Sequence, residues 1–193
     1  MTALDERLYL LINGQVGRWL TFDRVMSFLA NDYFVLLVLS FLLLAFWFSG
    51  TTSTQRSRFQ TMVLWTVLGI ALASILVKGS NLLFYRDRPF TYLDSNLLFY
   101  KPQDSSLPAN SAAISFAIAA GIWLGHLKAG ALALIIASVF AVSRVFAGVH
   151  FLSDVVVGAG IGALCSWCMY RFLTVVDWLP RGVIRLMRVL RLA

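Results

Sequence analysis

Ser143-Arg144, then His150, then Asp154 four residues later set an arginine, a histidine and an aspartate between two long apolar runs. Ionisable groups in such surroundings are expensive to desolvate and are kept mostly where they act. If the run after His150 is helical, the Asp154 carboxylate stands one turn away. From there it is able to fix the imidazole tautomer and stabilise the cation formed when the ring attacks an electrophile. The planar guanidinium of Arg144 matches phosphate or carboxylate oxygens. An oriented histidine facing an arginine is a pattern of phosphoryl transfer. A structural ion pair at a helix end has the same composition, and these residues alone leave both readings open.

The elements that must position this stretch are membrane helices. With 60% apolar residues in 193 and a mean hydropathy of +0.80, the chain is too oily for a soluble globule. The expected fold class is all-α integral membrane: a helical bundle of five to six transmembrane helices with interfacial N- and C-terminal helices, forming one domain over residues 1–193. Residues 1–31 are broken at Asn13-Gly14 and carry Asp5, Glu6, Arg7, Arg18, Asp23 and Arg24, unlike a cleavable signal peptide. They are expected to form two short interfacial or re-entrant helices. The transmembrane core, residues 33–173, is expected to span at about 33–48, 59–84, 108–125, 129–146 and 151–173, with a polar loop over 51–58. Pro108 suits the first turn of its helix. Gly158 and Gly162 form a small-xxx-small pair that permits close packing, and Cys165 and Cys168 read as buried packing thiols rather than a redox or metal pair. Residues 178–193 form a basic amphipathic tail with Arg181, Arg185, Arg188 and Arg191 on one stripe, suited to anionic membrane lipids and not to nucleic acid.

The charges sort by side. Arg56, Arg58, Lys128, Arg171 and the four tail arginines fall on one side, against Asp177 alone. The other side has equal numbers of acidic and basic residues, so the net charge of +7 lies on one face. Positive charge favours the cytoplasmic side. The Arg88 and His150 loops are therefore expected together on the extracytoplasmic side of the plasma (inner) membrane.

Three polar pieces then meet at one end: 81–89, 108–111 and 143–154. The last fits the pattern SRxxxxxHxxxD without a mismatch, and Arg88-Pro89 is similar to the end of KxxxxxxRP. Pro108-Ala-Asn-Ser111 stands where PSGH is found. On these motifs the chain resembles the type 2 phosphatidic acid phosphatase superfamily over roughly residues 59–173, and within it the small bacterial undecaprenyl-diphosphate phosphatases. The resemblance implies a membrane lipid phosphatase acting through a phosphohistidine: His150 as nucleophile, Asp154 as its partner, and Arg88 and Arg144 gripping the phosphate with Ser143 as a further donor. It implies no metal and no cofactor, since arginines and backbone donors neutralise the phosphoryl oxygens.

The pattern is departed from twice. The first-motif lysine position is Asn81, with Lys78 three residues earlier on the same helical face and able to snorkel toward the site. The second-motif histidine, the family's general acid, is Ser111. Only two histidines exist in the chain, and His126 falls in the turn at the far side of the membrane. Ser111 and Asn110 are suited to hold a phosphate oxygen or a water, not to donate a proton near neutral pH. A lipid monophosphate leaving group is a weakly basic oxyanion with a pKa near ~6 and needs that proton far less than a lipid alcohol does. A lipid diphosphate is thus expected to be preferred to a lipid monophosphate, and the resemblance implies a polyprenyl (undecaprenyl-type) diphosphate or a related lipid phosphate as substrate. The alternative is a member that binds or translocates a lipid phosphate without cleaving it.

Overall fold

The computed structural model describes residues 3–98 and 100–190, so Arg191 of the basic stripe lies outside the described residues. The described residues form eight α-helices: α1 (Ala3–Asn13), α2 (Leu20–Leu29), α3 (Phe34–Phe48), α4 (Ser53–Leu83), α5 (Asn110–Gly125), α6 (Leu127–Phe146), α7 (Leu152–Val175) and α8 (Trp178–Val189). Among the described residues there is no strand. Helices α4, α6 and α7 are long and apolar enough to cross a membrane, α2 and α3 are together long and apolar enough for a broken span or a re-entrant loop bent by 52°, and α5 is a shorter apolar helix.

Helix α5 is the axis of the bundle, packed against α3, α4, α6 and α7. Its inner positions are small, with Ala112, Ala113, Ala117 and Ala119 buried, so neighbouring backbones come close. The expected glycine pair is where α7 meets it. A Cβ on Gly162 would stand 2.0 Å from the Ala113 carbonyl oxygen, and one on Gly158 2.4 Å from that of Ala109. Leu39, Ile118, Ile122 and Phe140 fill the layer between α3, α5 and α6. Leu132, Ile135, Val139, Val156 and Leu164 are exposed on the outer faces, the apolar surface a bilayer covers.

Some boundaries differ from expectation. Helix α4 begins at Ser53, so most of the stretch read as a polar loop is its first turns. The Thr52 hydroxyl caps them, accepting from the Gln55 amide at 3.2 Å. Pro108 precedes α5 by two residues instead of opening it. Cys165 is buried as expected, but Cys168 is exposed, because residues three apart on α7 straddle the edge of its packed face. The N-terminal segment is not merely laid on an interface: α1 docks onto α6 and α7, with Tyr9 and Asn13 buried. The Asn13 amide donates to the carbonyls of Phe146 (2.8 Å) and Asn96 (2.9 Å) and accepts from Asn96 N (2.8 Å), tying α1 to the end of α6 and to the α4–α5 loop.

The antiparallel order brings the C-terminal ends of α4 and α6 and the N-terminal ends of α5 and α7 to one end of the bundle. His126 caps α6 at the other end, its ring accepting from Ala129 N at 3.2 Å.

Candidate active site

His150 sits in the five-residue connection, 147–151, between the end of α6 and the start of α7. Gly148 makes that turn with a φ of +87°, a left-handed conformation in which a side chain would be strained. The ring is 2% exposed. Its Nδ1 lies 3.0 Å from the Ser106 carbonyl oxygen, which only accepts, so Nδ1 carries the proton. Nε2 is therefore the unprotonated atom that carries the ring's lone pair. Nη1 of Arg88, 3.2 Å away, donates to it, and His150 lines a cavity of about 260 Å³ together with Arg88, Arg144, Asn110 and Ser111.

The sequence places the tautomer-fixing contact on Asp154; in the structure it falls to the Ser106 carbonyl. Asp154 Oδ2 is 3.9 Å from Nδ1. It accepts instead from Ser106 Oγ (2.5 Å) and from the Phe151 amide (2.9 Å). Its other oxygen takes Nη1 of Arg86 at 2.5 Å. A fully buried carboxylate must be paired, and Arg86 is the partner. Arg86 also pairs with Asp5 at 2.7 Å, donates to Ser153 Oγ at 2.7 Å and lies 4.5 Å over the Phe151 ring. Burial works against the Asp5 charge, yet the hydrogen bonds from Ser153 and Arg86 outweigh it and hold the carboxyl below its ordinary 3.8. Arg86 matches no motif position. The signal that finds it is the requirement that buried Asp154 be neutralised while Arg88 and Arg144 line the cavity.

Arg86→Ala strands the Asp154 charge and is expected to cost on the order of 3–5 kcal/mol. The thermal midpoint in detergent measures this loss, and an unchanged midpoint would remove Arg86 from the scaffold of the site.

Arg88 and Arg144 both reach the cavity, each held by a carboxylate. Arg88 pairs with Asp104 at 2.8 Å and donates to the Val149 carbonyl at 2.9 Å. Arg144 pairs with Asp32 at 2.7 Å and donates to the Ala30 carbonyl at 2.7 Å. Asp32 and Asp104 also line the cavity. Nothing in the motifs pointed to these two acidic residues.

The remaining expected residues divide. Asn110 and Ser111 open α5 at the cavity wall. Asn110 Oδ1 and Ser111 Oγ are buried without a hydrogen-bond partner among the described residues. Ala109, the N-cap, supplies no side-chain bond to the first-turn amides. Uncapped amides at a helix N-terminus favour an anion. Ser143 does not reach the cavity: it is buried and donates to the Phe140 carbonyl at 2.7 Å, in its own helix. Asn81 and Lys78 do not line the cavity either. Val77 faces the core, and Lys78, turned by about 100° from it on the helix, is exposed on the outside of α4. Among the described residues no group of three or more His, Cys, Asp or Glu side chains is placed to hold a metal ion.

Burial, reinforced by the Arg88 and Arg144 charges and opposed by Asp154, pushes His150 from 6.5 down to about 4. The ring is thus neutral and nucleophilic near pH 7. Between these two values the unfolded chain binds the proton better than the folded one. The stability this histidine contributes is therefore complete above pH 6.5 and is lost as the pH falls toward about 4. Nitrogen NMR of the imidazoles tests this: the His150 ring is expected to stay neutral until about pH 4, and a midpoint near 6.5 would contradict its burial.

Comparison with known proteins gives a consistent set of relatives. Residues 62–178 match the PAP2 superfamily. The chain is 31% identical over 166 residues to "Bacitracin transport permease protein BcrC" of Bacillus licheniformis, covering 86% of this chain and 78% of that one. To "Putative undecaprenyl-diphosphatase YbjG" of Escherichia coli (strain K12) it is 26% identical over 162 residues, covering 83% and 78%. The crystal structure of Aquifex aeolicus LpxE superposes with a TM-score of 0.67 at 30% identity, covering 88% of this chain and 96% of that one. A transmembrane PAP2-type phosphatidylglycerolphosphate phosphatase from Bacillus subtilis shares the fold, with a TM-score of 0.62 at 22% identity over 88% of this chain and 84% of that one.

Proposed function

The chain belongs to the PAP2 superfamily, and from that premise we propose that it hydrolyses a polyprenyl diphosphate of undecaprenyl type through a phosphohistidine at His150. One observation carries the reading: the protonated Nδ1 of His150 is anchored on the Ser106 carbonyl, so Nε2 presents its lone pair to a cavity lined by two arginines.

The terminal phosphate enters between Arg88, Arg144 and the first turn of α5, and its oxygens replace the carboxylates of Asp104 and Asp32 on the two guanidinium forks. Nε2 attacks phosphorus and forms the N–P bond while the bridging P–O bond breaks. Its electron pair leaves on the polyprenyl monophosphate. The imidazolium keeps its Nδ1 proton on Ser106, with Asp154 behind it to balance the charge. Water then attacks phosphorus and the N–P bond breaks. One water proton stays on the released phosphate, the other passes to solvent, and His150 returns neutral.

Ser111 sets the substrate preference. Without a proton donor at this position, cleavage depends on a leaving group that departs as a stable anion, and a lipid monophosphate does so. The name of the relative YbjG points to the same substrate class. The excess of positive charge at the other end of the bundle supports a site on the extracytoplasmic side of the plasma membrane.

The test is phosphate release by reconstituted protein from polyprenyl diphosphate and from phosphatidate. The diphosphate is expected to be cleaved faster by about 10²-fold or more, the lower range for the worth of a general acid. Equal rates on the two would remove the leaving-group argument. The hold of Arg88 on Nε2 favours a second reading, in which the cavity binds a lipid phosphate without cleaving it. Head-group binding with neither turnover nor phosphohistidine would establish that reading.

A further inference from the structure

The end of the bundle away from His150 holds a second cavity, of about 780 Å³, between the start of α4 and the basic helix α8. Four arginines face it: Arg58 from α4, and Arg181, Arg185 and Arg188 from one stripe of α8. Arg181 is paired with Asp177, and Arg188 donates to Ser57 Oγ at 2.9 Å. Among the described residues no carboxylate pairs with Arg58 or Arg185. With Arg181 balanced by Asp177, the three remaining like charges repel one another unless an anion lies among them. The fork of arginine is matched to phosphate oxygens.

The cavity is not purely cationic. Trp65 and Ile184, at 7% and 5% exposure, form its buried apolar part with Leu124 beside them. A free phosphate has no use for such a wall, whereas a glycerol and the first acyl carbons do. The outer face of α8 points the same way: Leu186 and Val189 are 56% and 76% exposed, apolar surface that a bilayer covers. The cavity therefore opens where lipid molecules stand.

We propose that this cavity binds the phosphate of an anionic phospholipid from the adjoining leaflet, with Arg58 and Arg185 as its main ligands and the Trp65–Ile184 wall taking the glycerol end. It is separate from the site of catalysis and does not depend on His150.

Native mass spectrometry tests this on full-length protein reconstituted in vesicles of phosphatidylcholine and phosphatidylglycerol in equal parts, then released into mild detergent. One phosphatidylglycerol is expected to stay bound in preference to phosphatidylcholine. Arg58→Gln with Arg185→Gln is expected to weaken that retention at least about tenfold, the loss of two charge-assisted contacts. Arg58→Lys with Arg185→Lys should restore part of it. The charge-matched control, Arg56→Gln with Lys128→Gln, removes two positive charges at the same end but outside the cavity and should retain the lipid. Equal loss in the control would reduce the effect to diffuse surface charge and overturn the site. Inorganic phosphate, titrated calorimetrically, is expected to bind much more weakly than short-chain phosphatidylglycerol. Equal affinities would overturn the assignment to a lipid. All four substituted positions are exposed, so the variants are expected to fold, and an unchanged thermal midpoint checks that they do.

Discussion

Replacing His150 by alanine is expected to lower phosphate release from polyprenyl diphosphate by at least about 10⁴-fold, on the scale seen when a covalent nucleophile is removed. The ring combines an unprotonated nitrogen with a fixed tautomer at the cavity, and no other histidine lines it. Both guanidinium groups and the α5 N-terminus remain in the variant, so the lipid head group should still bind. The measurement is therefore double. Turnover should vanish, and a base-stable, acid-labile phosphoryl adduct, formed by the parent protein on rapid quenching, should be absent. An adduct on another residue, or turnover that survives the substitution, would sink the phosphohistidine route.

Ser111→His is the change with the second largest expected effect, and its sign is a gain. Ser111 occupies the first turn of α5 at the cavity wall, with its hydroxyl buried and unpartnered among the described residues. An imidazole there supplies the proton that a lipid alkoxide needs in order to leave. Cleavage of phosphatidate should rise by about 10²–10⁴-fold, the usual worth of a positioned general acid. Polyprenyl diphosphate should respond far less, because its leaving group is already a weakly basic anion. The readout is the ratio of the two rates before and after substitution. A rise equal on both substrates would show that the histidine acts through binding or packing instead of proton transfer.

Much of the architecture was legible from the chain alone because membrane helices satisfy their own backbone and announce themselves by local hydropathy. The helices from α3 to α7 stand within a few residues of their expected spans. The ends were missed where polarity and helicity part company. Ser53 to Arg58 are polar yet helical, since α4 continues beyond its apolar stretch under a threonine cap. The glycine pair on α7 was readable because the i, i+4 spacing places both on one face whatever the partner.

At the site, His150, Arg88, Arg144, Asn110 and Ser111 were readable as residue types at motif spacings, and they do share one cavity. What spacing cannot report is direction. Ser143 sits beside Arg144 in sequence but spends its hydroxyl on Phe140. Lys78 has the right charge at about the right height and faces outward. Arg86 and Asp5, 81 positions apart, meet around Asp154 only because α1 folds over the site end of the bundle. Asp32 and Asp104 reach the two cavity arginines from α3's leading loop and from the α4–α5 loop, regions with no periodicity to read.

The sequence by itself determined the solvent of this protein, the number and rough limits of its helices, and which residue types gather at one end, because each follows from local composition or short-range spacing. The tertiary structure alone decided which nitrogen of His150 is free, which arginine neutralises Asp154 and which acidic groups hold the other two. Those are contacts between segments far apart in the chain, fixed by how loops close and helices pack, and no local pattern encodes them.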